Sequence, residues 1–149
     1  MEKAHPLSNF EIDNMLKDNK NYIGTFSRDN TQYLKKNQSL ILNLDDKKGN
    51  GTHWTAIIKN ENGTEIYYFD SFGLPPPQEI VNMYKKKKNK IKYSSNEIQL
   101  PSSIMCGYYC VMFIKEYYKG NDIYDIIYSF DLKPTQRNEQ LIKKYFNVV

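Results

Sequence analysis

Apolar positions in this chain come in short runs cut by polar turns, and the length and period of each run point to an element. Ser8-Asn9-Phe10-Glu11 has the spacing of a capping box and predicts a helix over residues 9–17. Residues 19–31 are polar around Gly24 and predict a loop, with one short extended piece at Tyr22-Ile23. Leu40-Ile41-Leu42-Asn43-Leu44 suits a buried strand, and residues 45–52 form a polar, Gly-containing loop. Two apolar runs, 54–59 and 65–70, flank Asn60-Glu61-Asn62-Gly63-Thr64, and Asn-Gly between such runs predicts a hairpin. Pro75-Pro76-Pro77 breaks the chain, and Pro77 suits the first position of a helix reaching about Lys88. Residues 91–93 and 97–99 read as one or two further short strands, and Pro101-Ser102-Ser103 as a turn. Residues 106–118 are apolar nearly all round, which predicts a central buried helix, with Gly120 ending it. Two more helices are expected, over 122–129 and 134–146. The fold class is α+β: one domain over 1–149, a small, mostly antiparallel sheet with helices on its faces, and a buried central helix that starts at Cys106.

Composition narrows the classes of function. With 40% of residues hydrophobic and 14% aromatic, the chain is too apolar to be disordered. No apolar run approaches the ~20 residues that span a bilayer, so no membrane role is expected. Met1 to Pro6 lacks the apolar core of a signal peptide. Cys106 and Cys110 are the only cysteines, too few for a disulfide framework. Free thiols and a reducing, intracellular setting follow, and the Asn-Gly-Thr at Asn62 is discounted as a glycosylation site. The net charge is +4, and much of the excess lies in Lys85, Lys86, Lys87 and Lys88, with Lys90 and Lys92 just after. Lysines favour the last turn of a helix, so a solvated helix end accounts for them. A patch for nucleic acid is the sharper reading.

The chemistry sits in three segments. A thiol attacks a carbonyl as its thiolate, and a helix N-terminus or a neighbouring imidazolium favours that form. Cys106 falls where the apolar helix begins, followed by Gly107, which permits close packing. Cys110, one turn on among Val111, Phe113 and Ile114, reads as buried and inert. Position alone leaves Cys106 open between nucleophile and core residue. Of the two histidines, His5 precedes a proline near the terminus, whereas His53 stands at a loop-to-strand junction beside Trp54, where a base is well placed. Pairing about Asn62-Gly63 sets residues near 54 opposite residues near 70, so His53 and Asp70 become neighbours across two strands. There Asp70 can hold the imidazole, or it can cap the Ser-Phe-Gly turn that follows. Gln99, seven residues before Cys106 across a Pro-Ser-Ser turn, can donate to an oxyanion together with the Cys106 N–H.

His53-Trp54, then Phe-Asp-Ser-Phe-Gly around Asp70, then Gln99-x6-Cys106-Gly-x-x-Cys110 resembles the adenovirus maturation proteases and the related ubiquitin-like-protein-specific cysteine proteases. A second likeness, in residues 21–26, brings the coverage to about 20–118. The resemblance implies that His53 is the general base, Asp70 the acidic member, Gln99 the oxyanion-hole residue and Cys106 the nucleophile. It implies a groove lined by Trp54, cleavage after Gly-rich sites, and capsid or core precursors as substrates in the virion and the infected cell. No metal or cofactor is implied for the chemistry, though DNA and a short viral peptide stimulate the adenovirus relative, and Lys85 to Lys88 fit such a DNA contact. A monomer is expected. In one departure, adenovirus enzymes usually carry Glu where this chain has Asp70, as the ubiquitin-like-protein proteases do. Removal of ubiquitin-like proteins is therefore the alternative activity, and a non-catalytic basic binding module the alternative class.

Overall fold

Period-two alternation builds the centre of the protein. The computed structural model describes residues 1–45 and 53–149; the expected loop 45–52 lies, apart from Asp45, outside the described residues. Five strands, β1 (Tyr22–Ser27), β2 (Ser39–Asn43), β3 (Trp54–Lys59), β4 (Glu65–Phe69) and β5 (Lys90–Tyr93), form one sheet in the order β1-β2-β3-β4-β5. Ile41, Ala56, Ile58 and Phe69 pack into the core on one face, while Leu40, Leu42, Ile57, Ile66 and Tyr68 pack into the core on the other. Helix α3 (Cys106–Tyr118) covers the first face together with α1 (Asn9–Met15), α4 (Ile123–Tyr128) and α5 (Gln136–Phe146). Helix α2 (Gln78–Lys86) covers the second with Ile80 and Tyr84. Each of those two side chains contributes about 1.5–3 kcal/mol by burial.

The sheet is mixed. The central pairs β2–β3 and β3–β4 are antiparallel, whereas β1 runs parallel to β2 and β5 parallel to β4. The outer strands are parallel because a longer connection brings each back in the same direction, α2 forming the crossover from β4 to β5. Helix α2 therefore starts near the end of β4 and finishes beside the β3–β4 turn. Its far end is fixed there by Asn89 Nδ2 donating to Gly63 O (2.9 Å) and Lys90 N–H donating to Thr64 O (3.2 Å).

The capping box at Ser8 and Glu11 is present in both directions. Three expectations differ from the fold. The short piece at Tyr22-Ile23 is a full edge strand, which the polar surroundings of Gly24 concealed. Pro77 caps α2 from outside instead of starting it. Residues 97–99 are not a strand: the N–H groups of Ile98 and Gln99 both donate to Ser71 O, at 2.9 and 3.0 Å, so a turn consumes the donors that a ladder would use.

Candidate active site

The β3–β4 register puts the site together. Ala56 pairs with Phe69, so the next step sets Thr55 opposite Asp70, and His53 lies two residues on, toward the same side. His53 Nε2 is 2.8 Å from Asp70 Oδ1, with 15% of the histidine side chain exposed and none of the aspartate. The same Asp70 oxygen accepts the Phe72 N–H at 2.8 Å, and Gly73 N–H donates to Asp70 O at 2.8 Å. Asp70 thus makes both contacts that its sequence position left open: it closes the turn and it holds the imidazole. The Phe72 ring stacks on His53, centroids 4.8 Å apart and planes inclined by 25°.

Cys106 is the first residue of α3, near enough to His53 for its thiol to favour the charged imidazole. Since Nε2 faces Asp70, Nδ1 is the ring nitrogen left for the sulfur. Neither cysteine is in a disulfide, and both are buried. Helix α3 has no side-chain N-cap, so the N–H groups of its first turn point out beside the thiol. Cys110 donates to Trp54 O at 3.3 Å, and burial pushes its thiol well up, which keeps it protonated. Burial lowers the basicity of His53, but Asp70 and Cys106 together outweigh it and raise the imidazole to about 9.

The pH dependence follows from that sign. The folded value lies above the ordinary 6.5. The imidazolium–carboxylate pair therefore stabilises the fold fully below pH 6.5, and that contribution is lost as pH climbs through about 9. The same proton is the one a leaving amine would take, so the alkaline limb of kcat/KM is expected near pH 9. A pH–rate profile checks this: a limb near 6.5 would show an imidazole that neither partner holds charged.

Gln99 is fully buried. Its Oε1 accepts the Ser71 hydroxyl and its Nε2 donates to Ser103 O at 3.0 Å. The backbone here is tied to α5 by Asn138, whose Nδ2 donates to Ile98 O at 3.0 Å. Ser71, Phe72 and Asn138 carry no periodicity, and only the first two had a signal, their place in the motif around Asp70.

The Trp54 indole N–H donates to Leu7 O at 3.1 Å and the residue is 7% exposed, so its ring is a core contact and not an open groove wall. A methyl at Gly107 would come within 3.2 Å of the Leu7 side chain and 3.4 Å of Trp54 Cδ1, so the glycine admits this packing. His5 contacts Glu11 and Lys3 O and none of the four site residues. Lys85 to Lys88 are exposed at the end of α2, beside the β3–β4 turn. Asp70 follows the opposite end of β4, about 17 Å along the strand. Among the described residues no cluster of His, Cys, Asp or Glu is arranged to hold a metal ion, and no helix is long and apolar enough to cross a membrane.

Residues 22–97, just over half of the 149, match the adenovirus endoprotease family. The chain belongs to that family. The match takes in His53 and Asp70 and ends before Gln99 and Cys106. A protein named as a thiol protease in Acanthamoeba polyphaga mimivirus is 30% identical over 82% of this chain and 38% of its own length. The protease of bovine adenovirus 2 is 26% identical over 68% of this chain and 57% of its own length. The chain thus spans well under two-thirds of either relative. The crystal structure of an ASFV protease superposes with a TM-score of 0.62 over 85% of this chain and 65% of the other, at 19% identity, a likeness of fold.

Proposed function

We propose that this adenovirus endoprotease family member is a cysteine endopeptidase, with Cys106 as nucleophile, His53 as general base and acid, and Asp70 holding the imidazole. One observation carries the reading: a buried Asp70 carboxylate holds, at 2.8 Å, an imidazole whose charged form is favoured by both Asp70 and Cys106, the thiol at the start of α3. His53 takes the Cys106 proton, or the pair rests as thiolate and imidazolium with that proton already on the ring, and the sulfur attacks the scissile carbonyl. Gln99 Nε2 and the first-turn N–H of α3 stabilise the oxyanion. His53 then protonates the leaving amine, and water releases the acyl-enzyme. Family membership supports Gly-rich cleavage sites and viral capsid or core precursors as substrates, acting in the virion or the infected cell.

The test uses peptides carrying Gly-Gly or Gly-x-Gly. Cys106→Ala is expected to remove turnover, and Gln99→Ala to lower kcat about 10²–10³-fold with little change in KM. Turnover that survives Cys106→Ala would overturn the assignment. Asp70 in place of the usual Glu favours a second reading, removal of ubiquitin-like proteins. A ubiquitin-like fusion assayed beside the peptides separates the two.

DNA stimulation is a further part of the proposal and rests on Lys85 to Lys88. Set apart from the thiol, they would tether the enzyme to DNA and not enter the chemistry. Replacing all four by Gln is expected to abolish DNA stimulation and flatten its salt dependence, while turnover without DNA stays unchanged. A stimulation that persists in this variant would remove the lysines from the account. A stimulatory viral peptide and a monomeric state complete the expectation.

A further inference from the structure

The dipeptide Asp70-Ser71 serves both halves of the site. Successive residues at a strand end point to opposite sides. Asp70 turns to His53, and Ser71 turns to Gln99. Ser71 is fully buried and uses both of its polar oxygens on the same neighbour. Its carbonyl accepts the N–H groups of Ile98 and Gln99, which fixes the backbone, and its hydroxyl donates to Gln99 Oε1, which fixes the side chain.

An amide side chain has one acceptor and one NH₂ with two donors, and its use depends on which end faces the site. Ser103 O is an acceptor only, and it receives one Nε2 hydrogen at 3.0 Å. Oε1 then needs a buried donor, and among the described residues Ser71 Oγ is the one that supplies it. With both ends satisfied, the second Nε2 hydrogen has no described acceptor, although Gln99 is fully buried. A flipped amide would bring Oε1 against the Ser103 carbonyl, acceptor against acceptor.

We propose that Ser71 is a positioning residue for the oxyanion hole: its buried hydroxyl locks the Gln99 amide so that one N–H is held ready for the developing oxyanion. The inference rests on the protease reading above. Removing the hydroxyl leaves Oε1 buried without a donor, and the amide then turns away from the geometry that the transition state needs.

The experiment compares wild type, Ser71→Ala, Gln99→Ala and the double variant with a Gly-rich peptide substrate, and follows alkylation of Cys106 by iodoacetamide. Alkylation displaces iodide at an sp³ carbon and forms no oxyanion. Ser71→Ala is expected to lower kcat about 10–10²-fold with little change in KM, to leave the Cys106 alkylation rate unchanged, and to add nothing in the Gln99→Ala background. Losses that add in the double variant, or an equal fall in alkylation, would overturn the proposal, since a general structural role has that signature. If Ser71→Ala does not fold, the Gln99 side-chain NH₂ in ¹⁵N spectra of the wild type decides. NH₂ protons protected from solvent exchange, one of which shifts when a peptide aldehyde adds to Cys106, support the lock. NH₂ protons that exchange as fast as those of an exposed Gln, or that do not shift with the aldehyde, overturn it. A wild-type Cys106 that is inert to iodoacetamide while the Gln99 amide is locked would instead sink the protease reading.

Discussion

Asp70→Asn is expected to lower kcat/KM by about 10⁴-fold, the loss that the same change causes in a Ser-His-Asp triad. The asparagine oxygen can still accept from His53 and from the Phe72 N–H, so the turn has a reason to persist. Two other things change. The negative charge that helps hold the imidazolium to about pH 9 is gone, so the alkaline limb should move down toward 6.5. The amide nitrogen would also occupy the place of Asp70 Oδ2, a buried atom with no hydrogen-bond partner among the described residues. Its two N–H groups would be stranded there, at a cost of about 1–3 kcal/mol. Peptide turnover against pH, with thermal melting alongside, measures all three effects. An unshifted limb with undiminished kcat/KM would remove Asp70 from the site.

Gly73→Ala is expected to cost at least about 2 kcal/mol of stability, roughly 6 °C in Tm for a domain of this size. Gly73 has φ +74°, in the left-handed region. A Cβ there would stand 2.6 Å from Ser95 O and 2.8 Å from the Asn96 carbonyl carbon. These are backbone atoms, which cannot swing aside as a side chain would. The strain falls on the turn closed by Gly73 N–H and Asp70 O, which also sets the Phe72 ring on His53. Displacing that turn moves the carboxylate, and about 10²-fold in kcat should go with the stability. A variant that melts like wild type would show that the 94–96 segment yields easily.

Local signals made the catalytic half of the fold legible. Asn-Gly between two alternating runs fixed the β3–β4 register closely enough to bring His53 to Asp70. The all-round apolar character of residues 106–118 placed Cys106 at a helix start. What escaped the sequence depends on contacts between distant residues. The parallel β1–β2 pair has no turn to announce it, and residues 97–99 look like a strand until Ser71 O takes their N–H groups. Nothing local to Trp54 shows that Leu7, 47 positions earlier, accepts its indole N–H. The Ser71–Gln99 pair spans 28 residues and Asn138 reaches Ile98 across 40, so neither follows from any period. The DNA and substrate readings rest on resemblance and composition.

The most direct test of the Cys106–His53 pair needs no substrate. Alkylation of Cys106 is followed by mass spectrometry against pH, in wild type and in His53→Ala, with Cys110 as internal control. The account predicts rapid alkylation of Cys106 in the pH range below 9, where His53 is held as imidazolium, loss of that reactivity in His53→Ala, and a protected Cys110 in both. Equal alkylation profiles for Cys106 in the two proteins would contradict it, because the imidazole would then have no hold on the thiol.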